Sequence, residues 1–239
     1  MGVSGERLNK YLAGCGVCSR READRWIESG RVTVNGQKPE LGCLVTPGDQ
    51  VRVDGELVRQ RTEHVVLAFY KPVGVTCSEK DTHAEKLVRD MIDYPVRVTY
   101  AGRLDKDSEG LLLLTDDGDL INAMMRGAAR HEKEYIVRVD KEIRPEMLQK
   151  MQAGIYLKDL GEKTRPCLAE QLSKFTFRIV LTQGLNRQIR RMCEACGYHT
   201  RSLKRIRVMS VELGDLKPGE YRELKKEELA TLYRLCGMK

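Results

Sequence analysis

The amino-acid sequence predicts an α+β protein with a small N-terminal domain and a larger C-terminal domain. The candidate strands outnumber the candidate helices and do not alternate with them regularly. This pattern favours a mixed, mostly antiparallel sheet flanked by helices over a doubly wound parallel sheet. A polar linker, GELVRQRTEH, separates an N-terminal segment with its own helix and turn signals from the rest of the chain. We therefore expect one domain at 1–60 and a second at 61–239.

Two amphipathic helices open the N-terminal segment. In RLNKYL, Leu8, Tyr11 and Leu12 share one helical face. The following SRRE is a capping box, in which Ser19 accepts a hydrogen bond from a free backbone N–H group of the next helix and Glu22 reaches back. Gly30 is well placed to end that helix. Its apolar stripe consists of Ala23, Trp26 and Ile27.

Short strands complete this segment. RVTVNG alternates apolar and polar residues, with Val32 and Val34 facing inward, and ends in an Asn35-Gly36 turn typical of a tight hairpin. PGDQVRVDG repeats the pattern through Val51 and Val53. Two helices and short strands predict a compact module of 1–60.

The second segment contains further strand and helix patterns. VVLAFYKPVGV, RVTYAG, LLLLT, KEYIVRVD, FTFRIVLTQG and IRVMSVELG are typical of strands. DGDLINAMMRG and NRQIRRMCEACG are typical of helices, and the aspartates of the first suit a helix N-terminus electrostatically. These elements predict the larger sheet.

Composition limits the function classes. The chain has 239 residues, 42 of them basic and 35 acidic, which gives a net charge of +7 and suits a polyanionic partner. Its longest leucine run is Leu111–Leu114, far short of a membrane span. MGVSGERLNK lacks a hydrophobic signal core, and Glu6 stands where a myristoylation signal has Ser or Thr. We expect a soluble, cytoplasmic protein with no membrane partner.

Eight cysteines suggest disulfides or a metal site, and the sequence favours neither. The chain is too long and too rich in core residues to need disulfides. A zinc site would have to join CGVC and CEAC, which are separated by most of the chain. HEKEY departs from the HExxH zinc motif at Tyr135. The second cysteine pair belongs to one apolar helix stripe, formed by Ile189, Met192, Cys193 and Cys196. This position predicts that the two cysteines are small buried hydrophobic residues.

The strongest chemical candidates are an acidic turn and a basic stretch. AGRLDKDSEG places several acids in a turn just before LLLLT. From Leu185 to Arg207 the chain has seven basic residues and one acid, Glu194, which suits RNA phosphates. None of the four histidines lies in a recognisable nucleophile context. These features predict an RNA-binding protein with a candidate carboxylate.

The N-terminal module offers a second basic surface. Its cations off the apolar stripes could contact phosphates, although a solvated charged face explains them equally well because acids nearly balance them. These residues are Arg7, Lys10, Arg20, Arg21 and Arg25.

Longer motifs carry a family resemblance. ERLNKYLAGCGVCSRREADRWIESGRVTVNGQ resembles an S4 domain, an RNA-binding module. AGRLDKDSEGLLLLTDDGDL resembles the signature of the RsuA-type pseudouridine synthases, and YKPVGV, KEYIV and GLNRQIRRM follow the family's order. HEKEY and GLNRQIRRMCE are most similar to the RluF-type branch, which acts on 23S ribosomal RNA of the large subunit.

The resemblance implies a pseudouridine synthase that needs no cofactor, since isomerisation adds and removes no group. Asp105 would be the nucleophile, and attack at ribose C1′ and attack at uracil C6 are both compatible with this role. The uridine must be flipped out of its stack, and Arg103 would occupy the vacated space.

Two further residues follow from the same motifs. Tyr135 would lie against the uracil and assist proton loss from C5, or else be a core tyrosine with its hydroxyl at the rim. Arg190 would pair with Asp105 and keep it ionised and aimed, or else pair with Glu194 on a solvated helix.

The remaining positions implied by the motifs concern the base pocket, RNA binding and structure. Leu104 and Ile189 would line the base pocket, and Lys71 with Pro72 would be structural. RNA-binding candidates, beside the N-terminal cations, are Arg103, Arg187, Arg191, Lys204 and Arg205.

Other functions stay open at this point. The expected protein is a monomer that binds 23S ribosomal RNA, and a transfer RNA is a candidate second substrate. A synthase for small-subunit ribosomal RNA and a non-catalytic S4 assembly protein are the alternatives. Retention of Asp105, Tyr135 and Arg190 together favours catalysis. An RNA-modifying transferase is disfavoured because the sequence has no glycine-rich loop for a nucleotide or a methyl donor.

Overall fold

The computed structural model describes residues 5–61, 63–78 and 85–238. Within them the chain forms two compact units. The first runs to Val65 and takes in Tyr94–Val98 and Thr115–Gly118, and the second contains the other described residues. No helix in these ranges is long and apolar enough to cross a membrane.

The first unit has two helices and five short strands in its described part. β1 pairs with β3, and β2, β4 and β5 form a three-stranded antiparallel sheet. The elements are β1 (Glu6–Arg7), α1 (Leu8–Gly14), α2 (Arg20–Glu28), β2 (Val32–Val34), β3 (Leu44–Val45), β4 (Val51–Val53) and β5 (Glu56–Leu57).

Local signals in the sequence account for this unit. The Glu22 backbone donates to Ser19 Oγ at 3.2 Å, and the Ser19 backbone donates to Glu22 Oε2 at 3.4 Å, so the predicted capping box is confirmed. Asn35 and Gly36 have φ angles of 52° and 80°, as a tight hairpin turn requires. The predicted apolar faces form the core, which includes Leu8, Leu12, Ala23, Ile27, Val32 and Val51, with Trp26 packed against it.

We expect Ser19→Ala to lower the free energy of unfolding by about 1 kcal/mol, because it removes the N-cap of α2. Urea denaturation measures the change. Ser29→Ala is the matched control, since Ser29 follows the same helix and its hydroxyl donates to the exposed Trp26 carbonyl. An equal loss in both variants would contradict the capping role.

The second unit contains the large sheet. The strands of this unit are β6 (Val66–Lys71), β7 (Thr99–Tyr100), β8 (Glu109–Thr115), β9 (Lys133–Val139), β10 (Tyr156–Leu157), β11 (Glu162–Lys163), β12 (Leu168–Ser173), β13 (Thr176–Leu181), β14 (Thr200–Val208), β15 (Val211–Glu212) and β16 (Tyr221–Glu223). β10 and β11 pair with each other outside the large sheet. Its helices are α3 (Gly118–Met125), α4 (Pro145–Ala153), α5 (Gln188–Ala195) and α6 (Lys226–Leu235).

Nine strands of the described chain form one mixed sheet. The main path is β12-β13-β9-β14-β8-β6-β16, with β7 and β15 attached at β8 and β14. β12, β13, β9 and β14 follow one another antiparallel, whereas β14 runs parallel to β8. The predicted mixed, mostly antiparallel sheet with flanking helices is confirmed.

The strands of the large sheet differ in which of their faces are buried. In β8 all four leucines of the LLLL run are at most 2% exposed, because this central strand has packing on both faces. One face of β13, β9 and β14 packs against α4 and α5 through Phe177, Val137, Leu203, Met151 and Met192. The sheet therefore holds α5, which carries the RQIRR motif, beside β9, which carries KEY.

Some elements were not named from the sequence. α4 begins with Pro145 at its first turn, a favoured position, but its buried face relies on Met147, Leu148 and Met151. β12 is the edge strand and is mostly exposed, so its sequence lacks a clear apolar alternation. Both elements depend on the sheet that they join.

Candidate active site

The acidic turn lies at the start of β8. The Ser108 backbone donates to the Asp105 carbonyl at 3.1 Å, which closes the turn. The Asp105 side chain is 33% exposed, while the adjacent Leu104 is buried. A buried strand thus presents a partly accessible carboxylate at its end, which a nucleophile requires.

Among the described residues, Arg187 forms an ion pair with this carboxylate. Its Nη1 lies 3.7 Å from Asp105 Oδ2, and its two terminal nitrogens donate to the Asp107 carboxylate at 3.0 and 2.9 Å. Arg187 precedes α5 with φ of 49°, a left-handed conformation that is uncommon for a residue other than glycine. Its guanidinium contacts both acids of the turn, Asp105 and Asp107.

Arg190 binds the same turn at a different point. Its Nη2 donates to the Asp107 carbonyl at 2.8 Å and to Ser108 Oγ at 3.3 Å, and its Nε lies 3.3 Å from Asp107 Oδ2. The prediction that Arg190 pairs with Asp105 is therefore wrong in this structure. Arg190 lies three residues after Arg187, on the next turn of α5. It is 8% exposed, so it contacts the acidic turn from the protein interior.

Asp107 is the residue that sequence reasoning missed. Burial alone would raise the pKa of Asp107, but hydrogen bonds from Arg187 and the charge of Arg190 outweigh it and lower that pKa. Asp107 thus stays ionised and joins α5 to the acidic turn. A second acid two residues after Asp105 was the available signal.

Tyr135 and Ile189 share one apolar cluster. Tyr135 lies on β9 opposite Ile179 of β13 and Arg205 of β14, and it packs against the cluster that contains Ile189. Its hydroxyl makes no hydrogen bond with any residue in the described ranges. The structure therefore places both of these predicted pocket residues at the same apolar cluster.

Lys71 is a buried lysine at the end of β6. It is 0% exposed, and its Nζ donates to the carbonyls of Pro72 and Val75 at 2.8 and 2.9 Å. Burial lowers the pKa of Lys71 to about 8, against the opposing charges of Cys77, Asp107, Asp105 and Glu109. These contacts favour a structural role, because the amine holds the loop that follows β6.

This pKa predicts a pH-dependent stability. Between about pH 8 and pH 10.5 the unfolded chain binds the Lys71 proton and the folded chain does not, so the free energy of unfolding rises with pH. Below that window both states are protonated and the contribution is constant. We expect the free energy of unfolding of wild type, taken relative to that of Lys71→Met, to increase with pH across this window. Urea denaturation at several pH values measures both free energies.

The exposed Lys226 is the matched control for Lys71. Lys226→Met removes an exposed amine, and a difference from wild type that changes with pH as much as that of Lys71→Met would show an effect that is not specific to the buried amine. A Lys71→Met difference that does not change with pH would show that the Lys71 amine is not desolvated in the folded protein.

The predicted RNA-binding residues occupy different environments. Arg205 is 3% exposed and its Nε donates to the Leu111 carbonyl at 2.7 Å. This burial corrects the prediction that Arg205 contacts phosphates. Arg103 is exposed, Arg191 lies 2.7 Å from Asp159, and the Lys204 amine lies 4.8 Å from the centre of the Tyr70 ring.

The basic residues of the first unit are mostly accessible. Lys10 lies 3.2 Å from Glu6 in an ion pair. The other predicted phosphate contacts are exposed, namely Arg7, Arg20, Arg21 and Arg25.

The cysteines lie in apolar or partly buried positions. Cys193 is 0% exposed on α5, as the helix stripe predicts, and Cys196 is half-buried just beyond the helix. All eight cysteines are free thiols. Burial raises the pKa of Cys193 to about 12, which keeps this thiol protonated.

Family comparisons agree with this geometry. Residues 65–195 match the RNA pseudouridylate synthase family, and residues 6–51 match the S4 domain. The chain belongs to the RNA pseudouridylate synthase family. The resemblance inferred from the motifs is confirmed, and the chain is an RNA pseudouridine synthase with an S4 domain.

Individual relatives extend over nearly the whole chain. The dual-specificity RNA pseudouridine synthase RluF of Escherichia coli K12 is 47% identical over 97% of this chain and 80% of the relative. The ribosomal large subunit pseudouridine synthase B of Bacillus subtilis is 42% identical and covers 97% of both chains. A crystal structure of a pseudouridylate synthase superposes with a TM-score of 0.70 at 29% identity, covering 95% of this chain and 99% of that one.

Proposed function

We propose that this synthase isomerises a specific uridine of large-subunit (23S) ribosomal RNA, with Asp105 as the nucleophile. The observation that carries the proposal is the partly exposed Asp105 carboxylate in a turn that Arg187 and Arg190 both bind. The Bacillus subtilis relative, named for the ribosomal large subunit, supports the choice of RNA.

The chemistry needs a carboxylate and a proton acceptor. Isomerisation breaks the bond from ribose C1′ to uracil N1, joins C1′ to C5, removes the C5 proton and adds one proton at N1. A carboxylate that bonds to one fragment holds it while the base turns. Arg187 Nη1 lies 3.7 Å from Asp105 Oδ2, close enough to hold this carboxylate in place for attack.

Neighbouring residues complete the proposed site. Tyr135 assists removal of the C5 proton, and its hydroxyl is available because the described residues do not bind it. Leu104 and Ile189 contact the base. Arg190 is a positioning residue that holds the turn through the Asp107 backbone, and the exposed Arg103 fills the space that the flipped uridine leaves.

The proposal extends to the domains and a second RNA. We propose that residues 1–60 act as the RNA-binding domain and residues 61–239 as the catalytic domain of a cytoplasmic monomer. The Escherichia coli relative is named a dual-specificity enzyme, which supports a second RNA substrate, with transfer RNA as the candidate.

The test is a map of pseudouridines made in purified RNA. We expect the purified protein to modify one uridine or very few in protein-free 23S RNA, in a loop or bulge, because flipping costs least where pairing is absent. Small-subunit RNA should stay unmodified, and transfer RNA is tested separately. Modification confined to small-subunit RNA would contradict the proposed substrate but not the synthase activity.

A further inference from the structure

The basic residues of 185–207 differ in whether their side chains have a partner among the described residues. Five of the seven are bound to protein oxygens: Arg187 and Arg190 to Asp107, Arg191 to Asp159, Arg205 to the Leu111 carbonyl and Arg207 to Glu132 and Glu134. Lys204 lies over the Tyr70 ring. The Arg201 side chain is exposed and makes no hydrogen bond or ion pair with a residue of the described ranges. It can bind an anion without breaking an existing contact.

A second arginine whose side chain has no partner in the described ranges lies beside Arg201. Arg138 of β9 faces Ser202 of β14, and the register of this strand pair shifts between Thr200 and Ser202. Such a bulge redirects the side chain of the extra residue, here Arg201. The Arg138 side chain is exposed and likewise makes no hydrogen bond or ion pair with the described parts of the chain.

The two arginines line one cavity. This cavity has a volume of about 440 Å³ and is lined by Arg138, Val139, Asp140, Phe175, Arg201 and Ser202, hereafter the Arg138–Arg201 groove. Its one carboxylate, Asp140, already accepts the His199 backbone N–H at 2.8 Å. Two guanidiniums and a hydroxyl suit phosphate oxygens, and the half-buried Phe175 ring suits an unpaired base.

The groove and the acidic turn lie toward the same end of the sheet. β14 runs parallel to β8 with Lys204 opposite Glu109. Arg201 comes before Lys204 in β14, and Asp105 comes before Glu109, the first residue of β8. Both residues therefore lie toward the N-terminal ends of these two parallel strands. An RNA segment bound at Asp105 would thus pass near the groove.

We propose that the Arg138–Arg201 groove binds the phosphate backbone of the substrate RNA near the modified uridine. The proposal rests on the proposed function, since it concerns the same RNA. It assigns RNA contacts to Arg138 and Phe175, which lie outside the sequence motifs of the family.

The test compares wild type with the double variant Arg138→Gln/Arg201→Gln. Its KM and Kd for a 23S stem-loop should rise about tenfold, and KM should change far more than kcat. The plot of log affinity against log salt should become less steep by roughly 0.7 for each phosphate of unpaired RNA that is no longer neutralised, or roughly 0.9 for each phosphate of a duplex. The matched control Lys217→Gln/Lys226→Gln removes the same charge from two exposed lysines near β16 and α6 and should change the slope much less.

Thermal unfolding and circular dichroism show that both double variants are folded before binding is compared. An affinity and a salt slope equal to those of wild type, in a folded Arg138→Gln/Arg201→Gln protein, would overturn the groove proposal. Equal losses in the control variant would also overturn it, since they would show a general effect of net charge. Wild-type protein that modifies no RNA would instead contradict the proposed function.

Discussion

Asp105→Asn should abolish isomerisation while leaving folding and RNA affinity nearly unchanged. The amide matches the acid in shape but cannot supply the nucleophilic oxygen anion, so we expect turnover to fall by at least about 10⁴-fold. Its effect on the fold should be small because the Asp105 side chain is 33% exposed and its ion pair with Arg187 is a long one of 3.7 Å. Loss of tritium from C5-labelled uridine measures turnover, since the C5 proton leaves in every cycle.

The matched control is Asp215→Asn, at an exposed aspartate in the turn after β15. It makes the same chemical change and should keep wild-type turnover. Mass spectrometry must first exclude deamidation of the new asparagine back to aspartate. Appreciable turnover by the pure Asp105→Asn protein would rule out Asp105 as the nucleophile.

Gly110→Ala should destabilise the catalytic sheet far more than Ser19→Ala destabilises the first unit. Gly110 has φ of 106°, and a Cβ built on it would lie 2.2 Å from the Arg205 carbonyl oxygen and 2.7 Å from the Arg205 nitrogen. Backbone strain of about 1–3 kcal/mol and overpacking of about 1–3 kcal/mol act together, so we expect a loss of about 3 kcal/mol or more. Urea denaturation followed by circular dichroism measures it.

Gly14→Ala provides the comparison, because nothing lies within 4 Å of a Cβ at this position and Gly14 closes α1 in a helical conformation. Its stability should be equal to wild type or higher, since alanine favours helices. If Gly110→Ala were as stable as Gly14→Ala, β8 and β14 could not approach each other as the structure has them.

The local parts of the fold could be predicted because their causes lie within a few residues. Ser19 caps α2 through Glu22, and the Asn35-Gly36 turn depends on its own two φ angles. The LLLL run of β8 is buried on both faces, as its composition indicates. In each of these places one physical cause determines the local structure, and that cause lies in neighbouring residues of the sequence.

Edge and supporting elements could not be predicted in the same way. β12 is paired on one side and mostly exposed, and α4 buries two methionines against β12 and the neighbouring strands. Methionine fits many surroundings and signals no particular one. These elements are stabilised by the sheet that they complete more than by their own patterns.

The sequence by itself determined the family, the S4 domain, the mixed sheet and Asp105 as the candidate nucleophile. Only the tertiary structure decided that Arg187 and not Arg190 forms an ion pair with Asp105, that Asp107 joins α5 to the turn, and that Arg205 is buried. It also decided that the Arg138 and Arg201 side chains have no hydrogen-bond or ion-pair partner among the described residues. The physical reason is distance along the chain. An arginine's partner is set by which strands the sheet brings together, and β8 and β14 meet although 94 positions separate Leu111 from Arg205.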